Sequence, residues 1–127
     1  EMKILVVDDF STMRRIIKNL LKQIGYENIG EAEDGVQAYS KLKEGGYDFV
    51  IIDLNMPYMD GLELTKKIRG DVFLKSIPIL LVTADADRLK VIAAIREGIN
   101  NYIVKPFTDE KLKEKINIIF FNKTKVK

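Results

Sequence analysis

Three carboxylates at the ends of two apolar runs carry the most chemistry in this chain: Asp8 and Asp9 follow Ile4-Leu5-Val6-Val7, and Asp53 follows Phe49-Val50-Ile51-Ile52. Short apolar runs of this kind read as strands buried on both faces of a parallel sheet. Each then delivers its acid to the carboxyl edge of the sheet, where open α/β folds bind ligands. Acids converging there call for a cation, and a chain with no His and no Cys offers it oxygen ligands only. That donor set favours a hard ion such as Mg²⁺ over zinc or copper. An acidic metal site with a carboxylate to spare is a place to receive a phosphoryl group.

The elements that must hold these residues alternate regularly. Met13, Ile16, Ile17, Leu20, Leu21 and Ile24 recur at helical spacing, with Gly25 as a stop. Asn28 to Ala32 reads as a second strand. A second helix runs from about Val36 to Glu44, entered after Asp34-Gly35 and ended by Gly45-Gly46. Asp48 to Asp53 is the third strand, and the turn residues Asp60-Gly61 precede a third helix marked by Leu62, Leu64 and Ile68. Pro78 opens a fourth strand, Ile79 to Thr83. The fourth helix is expected to bury Leu89, Ile92, Ala93 and Ile95, with Gly98 behind it. Asn101 to Val104 form a short last strand before Lys105-Pro106, and Thr108 caps a fifth helix whose apolar residues are Leu112, Ile116, Ile119 and Phe120. This alternation predicts an α/β protein, a single-domain (βα)5 doubly wound parallel sheet. Right-handed crossovers put its first, third and fourth strands side by side in the middle.

Composition excludes several classes. The 127 residues are expected to make one domain, 1–127, long enough to bury a core and without an output domain. Lys plus Arg (21) nearly cancel Asp plus Glu (19), which gives no reason to expect a nucleic-acid partner. Lys123, Lys125 and Lys127 make a basic tail that reads as a solvated end. No apolar run approaches a membrane span, no disulfide framework exists, and the start shows no signal peptide. A cytoplasmic monomer is the expectation. Glu1 before Met2 reads as a product of processing or cloning.

At this point the residues carry a resemblance that covers essentially the whole chain. It is densest in Leu5-Val6-Val7-Asp8-Asp9-Phe10-Ser11-Thr12-Met13-Arg14-Arg15, in Glu31-Ala32-Glu33-Asp34-Gly35, in Asn55-Met56-Pro57 with Met59-Asp60-Gly61-Leu62-Glu63-Leu64, and in Tyr102 with Val104-Lys105-Pro106-Phe107-Thr108. The chain resembles the response-regulator receiver domains, and among them the bacterial chemotaxis regulators. The resemblance implies the flavodoxin-like strand order 2-1-3-4-5.

It also implies roles. Asp53 would be the phosphoacceptor, a carboxylate competent to attack phosphorus and form an acyl phosphate. Asp9 and Asp53 would ligate Mg²⁺ directly with the backbone carbonyl of Asn55, Asp8 acting mainly through bound water. The metal would let one anion attack another. Lys105 would pair with a phosphoryl oxygen, Thr83 would donate its hydroxyl to it, and the Lys105-Pro106 bond would be cis. Inward movement of Thr83 would let Tyr102 turn from exposed to buried, switching the face of the fourth helix, last strand and fifth helix. That face would include Ala86, Arg88, Val91, Tyr102, Val104 and Lys115. Asn55 and Asp85, two residues past Asp53 and Thr83, would flank the approach of hydrolytic water.

The implied partners are a histidine kinase of the CheA type as donor, the flagellar motor switch protein FliM as target, and a phosphatase. The chain would be a signalling protein rather than an enzyme, catalysing only its own phosphoryl transfer and dephosphorylation. An alternative is a stand-alone receiver that relays or drains phosphate. Taken singly the residues have plain explanations: Asp9 as a helix cap, Thr83 as a β-branched strand residue, Lys105 as a solvated charge, Tyr102 as a half-buried aromatic. Their joint placement at one edge of one sheet outweighs those. A haloacid-dehalogenase-type phosphatase would need a second Asp two past the nucleophile, where Asn55 stands after Asp53 and Phe10 after Asp8. A flavin carrier would need a phosphate-binding loop where Asp8 and Asp9 would repel the phosphate.

Overall fold

The computed structural model describes residues 1–84 and 88–121. Five parallel strands, β1 (Lys3–Val7), β2 (Asn28–Ala32), β3 (Phe49–Asp53), β4 (Ile79–Thr83) and β5 (Asn101–Val104), form one sheet in the order β2-β1-β3-β4-β5. The helices are α1 (Ser11–Gln23), α2 (Gly35–Glu44), α3 (Gly61–Arg69), α4 (Arg88–Glu97) and α5 (Asp109–Phe121). Both the predicted alternation and the 2-1-3-4-5 order are therefore present. The basic tail lies outside the described residues.

A strand covered on both faces sends alternate residues into two different cores, which is why β1, β3 and β4 are apolar throughout. Leu5, Val7, Val50, Ile52, Ile79 and Leu81 share one core with Leu42 of α2, Leu64 and Ile68 of α3 and Ala94 of α4. Ile4, Val6, Phe49, Ile51, Leu80 and Val82 share the other with Ile17 and Leu21 of α1 and Leu112 and Ile116 of α5. Phe49, fully buried, meets Phe120 edge to face with ring centroids 5.1 Å apart. Phe49→Ala should cost about 3 to 5 kcal/mol of stability, read as a fall in the urea midpoint with unchanged slope.

Local signals fix the helix starts. The Asp34 side chain accepts the Gln37 N–H at α2, Asp60 and Glu63 form a reciprocal capping box at α3, and Thr108 Oγ1 accepts the Lys111 N–H at α5. The first helix has no such cap: Phe10 occupies the cap position, so Asp9 is not the capping residue.

The fourth helix departs from expectation. Val91 and Ala94 are its buried residues, whereas Leu89, Ile92 and Ile95 are exposed and Ala93 is half-buried. Apolar residues occupy almost every position from Leu89 to Ile95, so period alone does not select a face. The face that packs is the one with the smaller side chains, Val91 and Ala94, set against the core that α3 also covers.

Away from the acidic edge, Asp71 accepts hydrogen bonds from Lys43 Nζ (2.7 Å), the Tyr39 hydroxyl (2.5 Å) and the Phe73 N–H (2.8 Å). Lys43 and Tyr39 lower its pKa from 3.8 to about 2. A carboxylate depressed in the folded state contributes stability that is present above its unfolded pKa and is lost as pH falls through the folded one. Asp71→Asn should therefore be less stable than wild type at pH 7, with the gap closing between about pH 4 and pH 2 in urea melts.

Candidate metal and phosphoacceptor site

Val7 and Ile52 are register partners, so the carboxyl ends of β1 and β3 lie side by side. The Asp8, Asp9 and Asp53 carboxylates consequently meet, one oxygen of each within 4.8 Å of the others. Asp8 is fully buried, Asp53 is 5% exposed, and Asp9 faces solvent. Lys105 follows β5 and returns across β4, its N–H donating to the Thr83 carbonyl at 2.8 Å. Its ammonium lies 3.0 Å from Asp53 Oδ1 and 3.7 Å from Asp8 Oδ2. The Lys105-Pro106 peptide is cis. Thr83, buried, ends β4 one position beyond Val82, the register partner of Asp53.

The electrostatics of this cluster are unusual for a folded protein. Burial, then the neighbouring Asp8 and Asp9 charges, raise the Asp53 pKa to about 6 against the pull of Lys105. Burial also raises Asp8, although the Phe10 N–H at 2.9 Å and the Lys105 charge oppose it. Burial works against the Lys105 cation, but Asp53 and Asp8 outweigh it and hold its pKa above the ordinary lysine value. Asp8 Oδ1 takes the Phe10 N–H, while Asp8 Oδ2 is buried without a hydrogen bond. A buried carboxylate oxygen with no hydrogen bond, facing the Lys105 ammonium only at 3.7 Å and grouped with two more carboxylates, belongs to a donor set of the kind a hard divalent ion takes.

Close backbone approach sets the floor of the site. The Gly61 N–H donates to the Leu54 carbonyl at 2.8 Å, and a Cβ at Gly61 would fall 2.7 Å from the Asp53 carbonyl oxygen and 2.8 Å from Leu54 Cα. Backbone atoms cannot yield as a flexible side chain can, so Gly61→Ala should displace the Asp53 segment and cost about 1 to 3 kcal/mol in denaturant melts. Asn55, two residues past Asp53, is exposed, and Tyr58 in the same loop has a φ of 67° with its ring in solvent.

The remaining sequence candidates lie on the face of α4, β5 and α5. Tyr102 is half-buried against the α2–α4 side of the core, and Lys115 Nζ stands 5.3 Å over its ring. Arg88 is exposed, as is Val104 at 37%. Val91, expected on this face, is only 6% exposed, because it is one of the two α4 residues that enter the core. It still contributes to the floor of a groove of about 350 Å³ lined by Arg88, Val91, Ile92, Ile95 and Tyr102. Ile92 and Ile95, read from sequence as core residues, thus line this groove instead. Ala86 and Asp85 lie outside the described residues. Arg14 and Glu31, for which the sequence predicts no role, pair beside Asp8; residues 17 positions apart give no local sign of contact.

A doubly wound sheet with an acid pair, a further Asp, a Thr and a Lys-Pro at successive carboxyl ends is the arrangement expected of a receiver domain of two-component signalling. The chain belongs to the response regulator receiver domain family, which matches residues 4–117. It is 56% identical over 119 residues to the chemotaxis protein CheY-3 of Vibrio cholerae, covering 94% of this chain and 92% of that one. To the chemotaxis protein CheY of Pseudomonas aeruginosa it is 55% identical, covering 94% and 96%. Among solved structures it superposes on Vibrio cholerae CheY4 with a TM-score of 0.86 at 33% identity, over 94% of this chain and 98% of that one. The receiver domain of a Pseudomonas aeruginosa sensor histidine kinase, with a magnesium ion coordinated in its active-site cleft, gives 0.83 at 28%, over 91% and 94%. Among the described residues no helix is long and apolar enough to cross a membrane.

Proposed function

We propose that this receiver accepts a phosphoryl group on Asp53 from the phosphohistidine of a partner kinase and uses it to switch the α4–β5–α5 face. The observation that carries the reading is the Asp53 carboxylate held 3.0 Å from Lys105 beside a buried Asp8 oxygen that has no hydrogen bond. Mg²⁺ bound by Asp9, Asp53 and the Asn55 backbone carbonyl, with Asp8 behind them, would supply the positive charge that offsets repulsion between nucleophile and phosphoryl group. An Asp53 oxygen forms the O–P bond as the donor N–P bond breaks and the imidazole leaves with the electron pair, giving an acyl phosphate. Lys105, already oriented on Asp53, offers a cation to a phosphoryl oxygen. The 127 residues contain no His, so the phosphohistidine lies outside them, consistent with a separate kinase as donor.

Thr83 ends β4 beside Val104, its register partner on β5, so an inward shift of its hydroxyl toward the phosphoryl group acts on the strand that bears Tyr102. Burial of the Tyr102 ring would then reshape the groove it lines with Arg88, Ile92 and Ile95. The apolar α4 side chains there, with Arg88 and Lys115 nearby, suit an amphipathic, acidic segment of a motor-switch protein such as FliM. CheA as donor, a dedicated phosphatase, and action in the cytoplasm as a monomer complete the reading. The experiment is incubation with Mg²⁺ and acetyl phosphate, followed by mass measurement and by binding of the switch-protein segment. A mass gain without tighter binding would favour a relay or sink over motor control.

Hydrolysis regenerates the Asp53 carboxylate when water attacks phosphorus in line with the acyl oxygen. Asn55 is exposed and polar, able to hydrogen-bond that water without closing its path. Asn55→Arg should slow dephosphorylation roughly tenfold, a positioning effect of about 1 to 2 kcal/mol. Decay of the phosphorylated form after donor removal measures it, with Asp85→Ala alongside; equal rates in all three proteins would show that neither residue governs access of water.

A further inference from the structure

We propose that Arg14 is a positioning residue of the metal site, locking the peptide between Asp8 and Asp9 so that the acids stay converged. The inference rests on the reading of that cluster as a cation site. The Arg14 side chain is 13% exposed and its guanidinium works in two directions at once. Nη1 donates to the Asp8 backbone carbonyl at 2.7 Å, and Nε donates to Glu31 Oε1 at 2.8 Å. Glu31 sits on β2 and is itself held at its other oxygen by Lys18 Nζ at 2.8 Å, while Lys41 Nζ bonds its main-chain carbonyl. The hydrogen bonds from Lys18 and Arg14 hold the Glu31 carboxyl below the usual carboxylate range, so this acid is a fixed anion.

The need for such a lock follows from the charges. Like charges this close repel, and two of the carboxylates, Asp8 and Asp9, lie in one short turn that could relax by swinging Asp9 outward. The Asp8 N–H is already tied to the Ala32 carbonyl at 3.2 Å, so its nitrogen side is anchored to β2. Arg14 anchors its carbonyl side, which is the peptide plane that launches Asp9. A lysine would keep the charge but not the planar fork that reaches Asp8 and Glu31 together.

The test uses the full chain and Mg²⁺ alone as probe, in wild type, Arg14→Lys, Glu31→Gln and Lys18→Met, each checked for fold by circular dichroism. Calorimetric titration should show Arg14→Lys weakened about tenfold, the scale on which partners that orient metal ligands act. Glu31→Gln should fall in the same direction by less. Lys18→Met removes a cation from the same glutamate without touching Asp8 and should stay within about twofold of wild type. A metal-free readout accompanies it: amide exchange at Asp8 and Phe10, both hydrogen-bonded in this turn, should accelerate in Arg14→Lys and not in Lys18→Met. Wild-type Mg²⁺ affinity and unchanged exchange in Arg14→Lys would overturn the proposal, as would equal weakening in Lys18→Met, which would mark a general charge effect. A wild-type protein that takes no Mg²⁺ would instead refute the cation-site reading, and the exchange data would still decide whether Arg14 locks the turn.

Discussion

Asp53→Asn is expected to abolish the mass gain on incubation with Mg²⁺ and a small phosphodonor while leaving the circular dichroism spectrum intact. An amide oxygen is a poor nucleophile and a weaker ligand for a hard cation than a carboxylate. The same substitution should make the metal-free protein more stable at neutral pH, which is the less obvious half of the expectation. Burial and the Asp8 and Asp9 charges raise Asp53 to about 6 in the folded state, above its ordinary 3.8. An acid whose folded pKa is raised binds its proton more tightly when folded, so its ionised form opposes folding. That opposition is complete above about pH 6 and fades as pH falls toward 4. The amide has no charge to repel, so Asp53→Asn should gain up to about 2 to 3 kcal/mol at pH 7 and almost nothing at pH 4, in metal-free urea melts. A phosphorylated Asp53→Asn protein would move the acceptor elsewhere, and a pH-independent gap would show that the charge cluster is not the source of the strain.

Metal binding gives the second large effect. Addition of Mg²⁺ should raise the melting temperature of wild type, since a ligand that binds only the folded state stabilises it in proportion to the logarithm of its concentration over Kd. Asp9→Ala should weaken that affinity by about tenfold or more, the largest loss among residues other than the acceptor. Asp9 is the exposed member of the cluster and so the one that meets an incoming ion from solvent. Affinity in wild type should also fall as pH drops below about 6, because the ion and the Asp53 proton compete for one carboxylate. Isothermal titration at about pH 7.5 and about pH 5 would measure both effects, values about a unit or more either side of that midpoint. An unchanged Kd in Asp9→Ala would remove it from the ligand set.

The sheet and the acids on its edge were legible in the sequence, and the reason is local. A parallel strand buried on both faces must be apolar from end to end, so the first polar residues after Val7 and Ile52 are at once the strand ends and the site. Turn and cap residues such as Asp60, Gly61 and Thr108 marked where helices start, because their chemistry acts within a few residues. The face that α4 buries was not legible. From Leu89 to Ile95 nearly every position is apolar, and only the space beside α3 and the sheet decides that Val91 and Ala94 enter while Ile92 and Ile95 line the groove beside Tyr102. Nor was the Arg14–Glu31 pair, whose members are 17 residues apart and meet only because β2 lies beside β1. Periodicity records what one element does along its own length. Which polar groups face one another across elements, and therefore how firmly the Asp8–Asp9 turn is held, depends on packing that no single segment encodes.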